Sequence, residues 1–261
     1  MKKLYKTFLV LLSVMLIATL STGCSNKTDD DNLSNSALSE TFNIAVAVDF
    51  APFGYKTEDG NFCGIDVDII NEIIKQNNLD VTVNYMTTAE ALYALEMGTA
   101  DGILSHLGIS ETRLQKYDFS DPYYVSGLIT AKKVVNVLNS LEELKGGKVA
   151  VTENSLGSFY AQSISETYGF TTIPYKNVAE MYDAVLNDTV DACIGSYAEI
   201  GHAIKNGAAL SMVGDKIIGT SYGFAVMKGQ NSALLDSFNA GLAAIKQSGL
   251  YQTIINTYIA G

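Results

Sequence analysis

Arginine is almost missing from this chain. Seventeen basic residues stand against twenty-eight acidic ones, and among the seventeen Arg113 is the single arginine. The formal charge of −11 argues against nucleic acid as a partner, because a phosphate backbone rewards basic patches. Histidine and cysteine are nearly as scarce, with two and three copies. Their spacing matches no zinc site, and no nucleophile elbow, metal pair or phosphate loop is visible. No metal and no cofactor are therefore expected. Cys63 lies in the turn "NFCGID" and Cys193 in the short apolar stretch "VDACIG". Two lone, distant cysteines read as small buried apolar residues rather than as a bridge. Beyond residue 40 no apolar run is long enough to span a bilayer.

The long apolar run that does exist is N-terminal. Lys2, Lys3 and Lys6 precede the stretch from Phe8 to Leu20, and small residues then lead to "STGC", ending at Cys24. Residues 1–23 have the charge order and length of a secretory signal, too short and wrongly flanked for a lasting membrane helix. The cysteine directly after Gly23 resembles a bacterial lipoprotein box. That implies a lipidated Cys24 as the mature N-terminus, anchored to the outer side of the cell membrane. Ser21 stands where such boxes usually carry leucine, and an ordinary cleaved signal is the alternative. Residues 24–40 are polar and acidic without apolar periodicity, so they read as a flexible tether.

From residue 41 onward about 220 residues remain, enough for two modest lobes or one large domain. Strands and helices alternate. "FNIAVAV" reads as a buried strand and "IDVDIINEIIKQNN" as an amphipathic helix with Ile65, Ile69 and Ile73 on one face. "DVTVNYM", a helix over "TAEALYALEMG" and "ADGILS" complete a first series. "KVAVTE", a helix over "GSFYAQSISETYG", "TTIPY", a helix over "VAEMYDAVLNDT" and "VDACIGS" repeat the same order. This is an α/β pattern, with parallel sheets and ligands at the carboxyl ends of strands. "GLITAKKVV" and "SYGFAVMK" are extended pieces able to link the halves as two antiparallel hinge strands. The final helices, over "SALLDSFNAGLAAIKQSG" and "LYQTIINTYIA", are expected to cover the first lobe.

Arg113 follows the turn "GISE", with Ser110 as a helix N-cap. A cation is poorly placed at the positive end of a helix. An anion in front of both would remove the conflict, since a guanidinium grips a carboxylate through two parallel hydrogen bonds. A surface ion pair is the other reading that these residues allow.

The runs "DFAPFGYKTEDGNFCGIDVDI", "SETRLQKYDFSDPYYVSG", "LEELKGGKVAVTENS" and "YGFAVMKGQNSALLDSFNAGLAAIKQSGLYQTI" resemble, in order and spacing, the family 3 extracellular solute-binding proteins that serve ABC importers of amino acids. The resemblance implies a two-lobe, periplasmic-binding-protein-like (type II) α/β fold. Lobe 1 would hold residues 41–130 and 223–261, and lobe 2 residues 131–222 with the hinge strands. It implies an extracytoplasmic, monomeric receptor for a small carboxylate-bearing solute, with an ABC permease as partner and no enzymatic activity. A sensor module for a partner receptor, and a cyclohexadienyl-dehydratase-like enzyme using His106 or Glu153 as general acid, are the alternatives.

The resemblance also implies roles for particular residues. Arg113 would bind the ligand carboxylate, with Ser105 and Gly108 of "SHLG" beside it and His106 facing the cleft or packed. Ser155, with Asn154, would clasp the carboxylate from the second lobe or simply cap a helix. Phe50 would stack on the apolar part of the ligand, while the second aromatic of the family is replaced at Thr88. Asp49 would meet a cationic group or close its strand. Ser196 stands where family members that hold an α-amino group usually have aspartate. A hydroxyl cannot neutralise an ammonium, so Asp49, Glu153 or Glu199 would have to take it, or the ligand is not a standard α-amino acid.

Overall fold

The computed structural model describes residues 41–260. The expected signal segment, Cys24 and the tether lie outside the described residues.

The chain opens with β1 (Phe42–Ala47), a small hairpin of β2 (Tyr55–Lys56) and β3 (Phe62–Cys63), and α1 (Ile65–Asn77). In α1 the residues Ile65, Ile69 and Ile73 are buried together with Val67 and Ile70, as the 3.6-residue period requires. Asp66 and Asp68 occupy its first turn, where the helix dipole favours negative charge. Then come β4 (Val81–Met86), α2 (Thr88–Glu96), β5 (Gly102–Leu104), a single helical turn α3 (Glu111–Leu114) and β6 (Tyr117–Phe119). Strands β4, β1 and β5 are mutually parallel.

The second series begins with β7 (Tyr124–Lys133) and continues through β8 (Lys148–Thr152), α4 (Leu156–Tyr168), β9 (Thr171–Tyr175), α5 (Val178–Leu186) and β10 (Ala192–Ser196). Next come α6 (Tyr197–Lys205), β11 (Leu210–Tyr222), β12 (Ala225–Met227), α7 (Ser232–Gln247) and α8 (Leu250–Tyr258). One five-stranded sheet has the order β4-β1-β5-β12-β6 and the other the order β11-β7-β10-β8-β9. The chain crosses from the first sheet to the second into β7 and returns between β11 and β12.

Two features depart from the sequence reading. The return piece was expected over residues 221–228, yet β11 is a thirteen-residue strand that ends at Tyr222. It pairs antiparallel with β7, and β12 joins the first sheet beside β5 and β6. Helix α6 was not anticipated, although Ser196 caps it by accepting from the Glu199 N–H.

The closing helices do cover the first sheet. Leu234, Phe238, Leu242, Ile245, Ile254 and Tyr258 share one core with Ile44, Val46 and the isoleucines of α1. The Phe224 and Phe238 rings stack at 4.6 Å between centroids. Gly102, at the start of β5, lies under Phe224, so that a Cβ there would push into the ring. Cys63 and Cys193 are both free thiols, and full burial pushes the Cys193 thiol up to about 12. Among the described residues no helix is long and apolar enough to cross a membrane.

Gly102→Ala therefore forces the Phe224–Phe238 stack to move. Urea unfolding should register a loss of about 1–3 kcal/mol, the usual cost of overpacking a filled core. An unchanged midpoint would mean that the ring yields without strain.

Candidate ligand cleft

A cleft of about 760 Å³ runs along the junction of the two sheets, a size suited to a small molecule. Phe50 lines it from the first-sheet side, and Thr220 and Tyr222 from β11. The second sheet and its helices supply Ser155, Tyr160, Tyr182, Ser196 and Glu199.

Local geometry explains how these side chains arrive there. Gly157 lets the start of α4 press against the end of β10, because a Cβ at that position would stand 2.8 Å from the Ile194 carbonyl oxygen. Ser155 and Ser196, the caps of α4 and α6, are thereby brought to the same wall. Ser155 is occupied as a cap, accepting from the Ser158 N–H at 3.0 Å and donating to the Thr152 carbonyl at 2.7 Å. Asn154 precedes it in the left-handed region, at φ 54°, and does not line the cleft.

The loop that carries Ser105, His106 and Gly108 is stitched to the end of β11. Ile109 N–H donates to the Ser221 carbonyl and Gly223 N–H to that of Leu107. Ser110 caps α3 by accepting from the Arg113 N–H at 3.4 Å. The Arg113 guanidinium is exposed and donates from Nη1 to the Gly108 carbonyl at 2.9 Å. Among the described residues it makes no ion pair. It is not part of the cleft lining but sits behind Gly108, whose absent Cβ would lie 2.9 Å from Thr220 Cγ2 and 3.3 Å from Arg113 Nη1. Ser105 is buried, with no hydrogen-bond partner for its hydroxyl among the described residues.

His106 belongs to an aromatic cluster. Its ring lies 4.8 Å from Phe50 and 5.8 Å from Phe53, with Tyr222 at 6.3 Å. Burial lowers its pKa to about 4, with Arg113 adding to the effect and Asp49 opposing it. The imidazole is neutral at ordinary pH, and it packs at a 34° tilt against Phe50. Thr88 is tied up elsewhere: its N–H and hydroxyl both donate to Asp49 Oδ1, at 3.0 and 2.6 Å. Asp49 thus holds the start of α2 and does not line the cleft.

Beneath His106 lies Asp66, with no solvent exposure. Its Oδ2 accepts from the His106 N–H at 2.9 Å, while Oδ1 and the Tyr123 hydroxyl approach each other without a well-formed hydrogen bond. Burial raises this carboxyl to about 7, with Tyr123 and the His106 N–H opposing the shift. Tyr160, Tyr182, Thr220 and Tyr222 of the wall were not anticipated as site residues, and Glu199 was named only as one of three spare acids. Among the described residues no group of three or more His, Cys, Asp or Glu is placed to hold a metal ion.

Residues 42–261 match the model of the bacterial extracellular solute-binding proteins, family 3. The chain belongs to this family. The "probable histidine-binding protein" of Campylobacter jejuni is 28% identical over 261 residues, covering 99% of each chain. The ABC transporter glutamine-binding protein GlnH of Bacillus subtilis is 28% identical, covering 99% of this chain and 98% of its own. Among solved structures, substrate-binding domain 2 of Lactococcus lactis GlnP in an open conformation superposes with a TM-score of 0.81 at 30% identity. That match covers 91% of this chain and 98% of the other. An ancestral arginine-binding protein bound to arginine reaches 0.58 at 31% identity, covering 84% and 97%. The family 3 chain described here is thus an extracytoplasmic solute-binding protein with a two-lobe α/β fold.

Asp66 lends the protein a pH dependence whose sign follows from its raised pKa. The folded state keeps the proton up to about 7, whereas the unfolded chain releases it near the ordinary carboxyl value of 3.8. The stabilisation is complete below the unfolded value and is lost as pH rises through about 7. Asp66→Asn removes the titration and keeps an acceptor for the His106 N–H. Melting curves should show the variant gaining on the wild type between pH 5 and pH 8. A gap constant with pH would mean that the carboxyl does not titrate there.

Proposed function

We propose that this protein captures an amino acid, or a closely related small carboxylate, between its two sheets and delivers it to the permease of an ABC importer. The observation that carries this reading is the cleft itself, walled by the second sheet and its helices with Phe50 facing them, and near it an arginine without an ionic partner among the described residues. The relatives named for histidine and glutamine support an amino acid as the solute class.

In this reading Arg113 leaves the Gly108 carbonyl and grips the ligand carboxylate with two parallel hydrogen bonds. Ser105 and the Gly108 N–H assist from the first lobe, and Ser155 from the second. Phe50, backed by His106, provides the apolar platform. Lobe 1 spans residues 41–130 and 223–261 and lobe 2 residues 131–222. The higher TM-score to an open relative than to an arginine-bound one, at nearly equal identity, supports an open arrangement. Leu156, Phe159 and Ile218 stand 71%, 60% and 75% exposed on the second-lobe lip. Closing over a solute would bury them and add contacts from both sides at once, which biases the equilibrium toward the closed state.

Binding rather than catalysis is favoured by the two side chains that would have to act as general acids. His106 is neutral and packed among rings, and Glu153 is exposed, outside the cleft. The receptor works as a monomer tethered through a lipidated Cys24 near its permease.

Thermal shift against free amino acids, their decarboxylated analogues and plain carboxylates tests the proposal. A ligand at a hundred times its Kd adds about 2.7 kcal/mol, visible as a higher Tm. Arg113→Ala should abolish the shift for every carboxylate ligand. A shift of unchanged size would remove Arg113 from the site.

A further inference from the structure

Helix α6 begins with Ser196-Tyr197-Ala198-Glu199, the pattern of a capping box, in which serine takes the N–H of the glutamate and the glutamate reaches back to the cap. Half of the box is formed, because Ser196 Oγ accepts from the Glu199 N–H at 3.4 Å. The other half is not. At α2 both halves are present, with Glu90 Oε2 accepting from the Thr87 N–H at 2.8 Å. At α5 the Glu180 carboxylate likewise folds back onto its cap, accepting from Asn177 Nδ2 at 3.0 Å. Glu199 has no hydrogen-bond or ion-pair partner for its carboxylate among the described residues, and it lines the cleft.

Its surroundings make an unpaired anion costly. Tyr182 and Tyr222 are close enough for the Glu199 charge to raise their own pKa values, and both line the same wall. Tyr182 has a buried hydroxyl without a partner among the described residues. The Lys216 ammonium on β11 donates to the Val125 carbonyl at 3.1 Å and lies over the Tyr197 ring at 5.1 Å and the Tyr124 ring at 5.7 Å, without an ion pair to Glu199. Burial alone raises the Glu199 carboxyl to about 7. A desolvated carboxylate of this kind is stabilised by a matching cation, and electron-rich ring faces favour the same charge.

The other acids that could have served are committed elsewhere. Asp49 is bonded to Thr88, and Glu153 is exposed outside the cleft. We propose that the Glu199 carboxylate is the contact for a protonated amine or guanidinium on the solute, one helical turn beyond the hydroxyl of Ser196. This deepens the receptor reading and rests on it. The solute then carries an anionic group toward Arg113 and a cationic group toward Glu199. Such a cation is either the α-ammonium of any amino acid or the side chain of a basic one.

Titration calorimetry of the wild type and of Glu199→Gln with L-arginine, L-lysine, L-histidine and L-glutamine separates these cases. The variant should bind at least tenfold more weakly. Loss for all four ligands places the α-ammonium at Glu199, and loss for the basic ones alone places the side-chain cation there. Affinities within twofold of wild type throughout would overturn the assignment. If the wild type binds none of the four and shows no thermal shift with any other amino acid or carboxylate, the receptor reading itself falls, and this inference with it. A measurement on the unaltered protein guards against misfolding of the variant. Near pH 7 a cation displaces the proton from Glu199, so calorimetry in buffers of different ionisation enthalpy should register proton release on binding. Tyr124, Tyr182 and Tyr222 do not contribute, held neutral by raised pKa values, nor does Cys193, held neutral by burial. Repeating the measurement with Asp66→Asn removes the carboxyl beneath the cleft floor that also titrates near 7. Binding without proton release contradicts the proposal as surely as an inert variant would.

Discussion

The antiparallel pairing of β7 with β11 forms the edge of the second sheet through which the chain enters from the first and returns to it, and the cleft takes its shape from that pair. The pairing runs from Leu210 opposite Lys133 to Tyr222 opposite Tyr124, with irregularities after Val213 and after Ile218. Such irregularities bend a strand and re-aim its side chains. They fall where Ile217, Ile218, Gly219 and Thr220 meet the cleft. Gly127 and Gly219 permit the close approach, because a Cβ on either would strike the opposite strand. Because the "SHLG" loop is hydrogen-bonded to the last residues of β11, the position of Arg113 depends on the same strand pair.

Charge in and around the cleft is arranged so that a solute completes it. Arg113 rests on a carbonyl of its own loop, a weak partner for a guanidinium. Glu199 was left without its half of the capping box. His106 and Asp66, by contrast, form a buried layer whose charges are suppressed, one pKa pushed down and the other up by the same desolvation. A neutral imidazole packs against Phe50 without adding a competing cation near Arg113. The apolar floor and the charged groups are thus kept apart, an arrangement that suits the zwitterion proposed as the solute.

Much of this was legible in the chain. The isoleucine period of α1, the caps at Ser110 and Ser155, the doubled strand–helix order and the closing helices all rest on local spacing, and local spacing is written in the residues. Strand β11 escaped because "LSMVGDKIIGTSY" has no clean alternation and is held by a partner some eighty residues earlier. The expected piece at 221–228 therefore covers the return of the chain but only the last two residues of the strand that leads to it. Thr88 was recognised as a missing aromatic, but not as the residue that consumes Asp49.

The sequence by itself determined the family, the α/β order, the solitary arginine and the absence of aspartate at position 196. Tertiary structure decided which acid faces the cleft. Asp49, Glu153 and Glu199 are indistinguishable as residue types, since a carboxylate does not carry its solvation with it. Desolvation and partnership are set by elements far apart in the chain: α2 engages the first acid, solvent surrounds the second, and the rings of Tyr182 and Tyr222 stand beside the third.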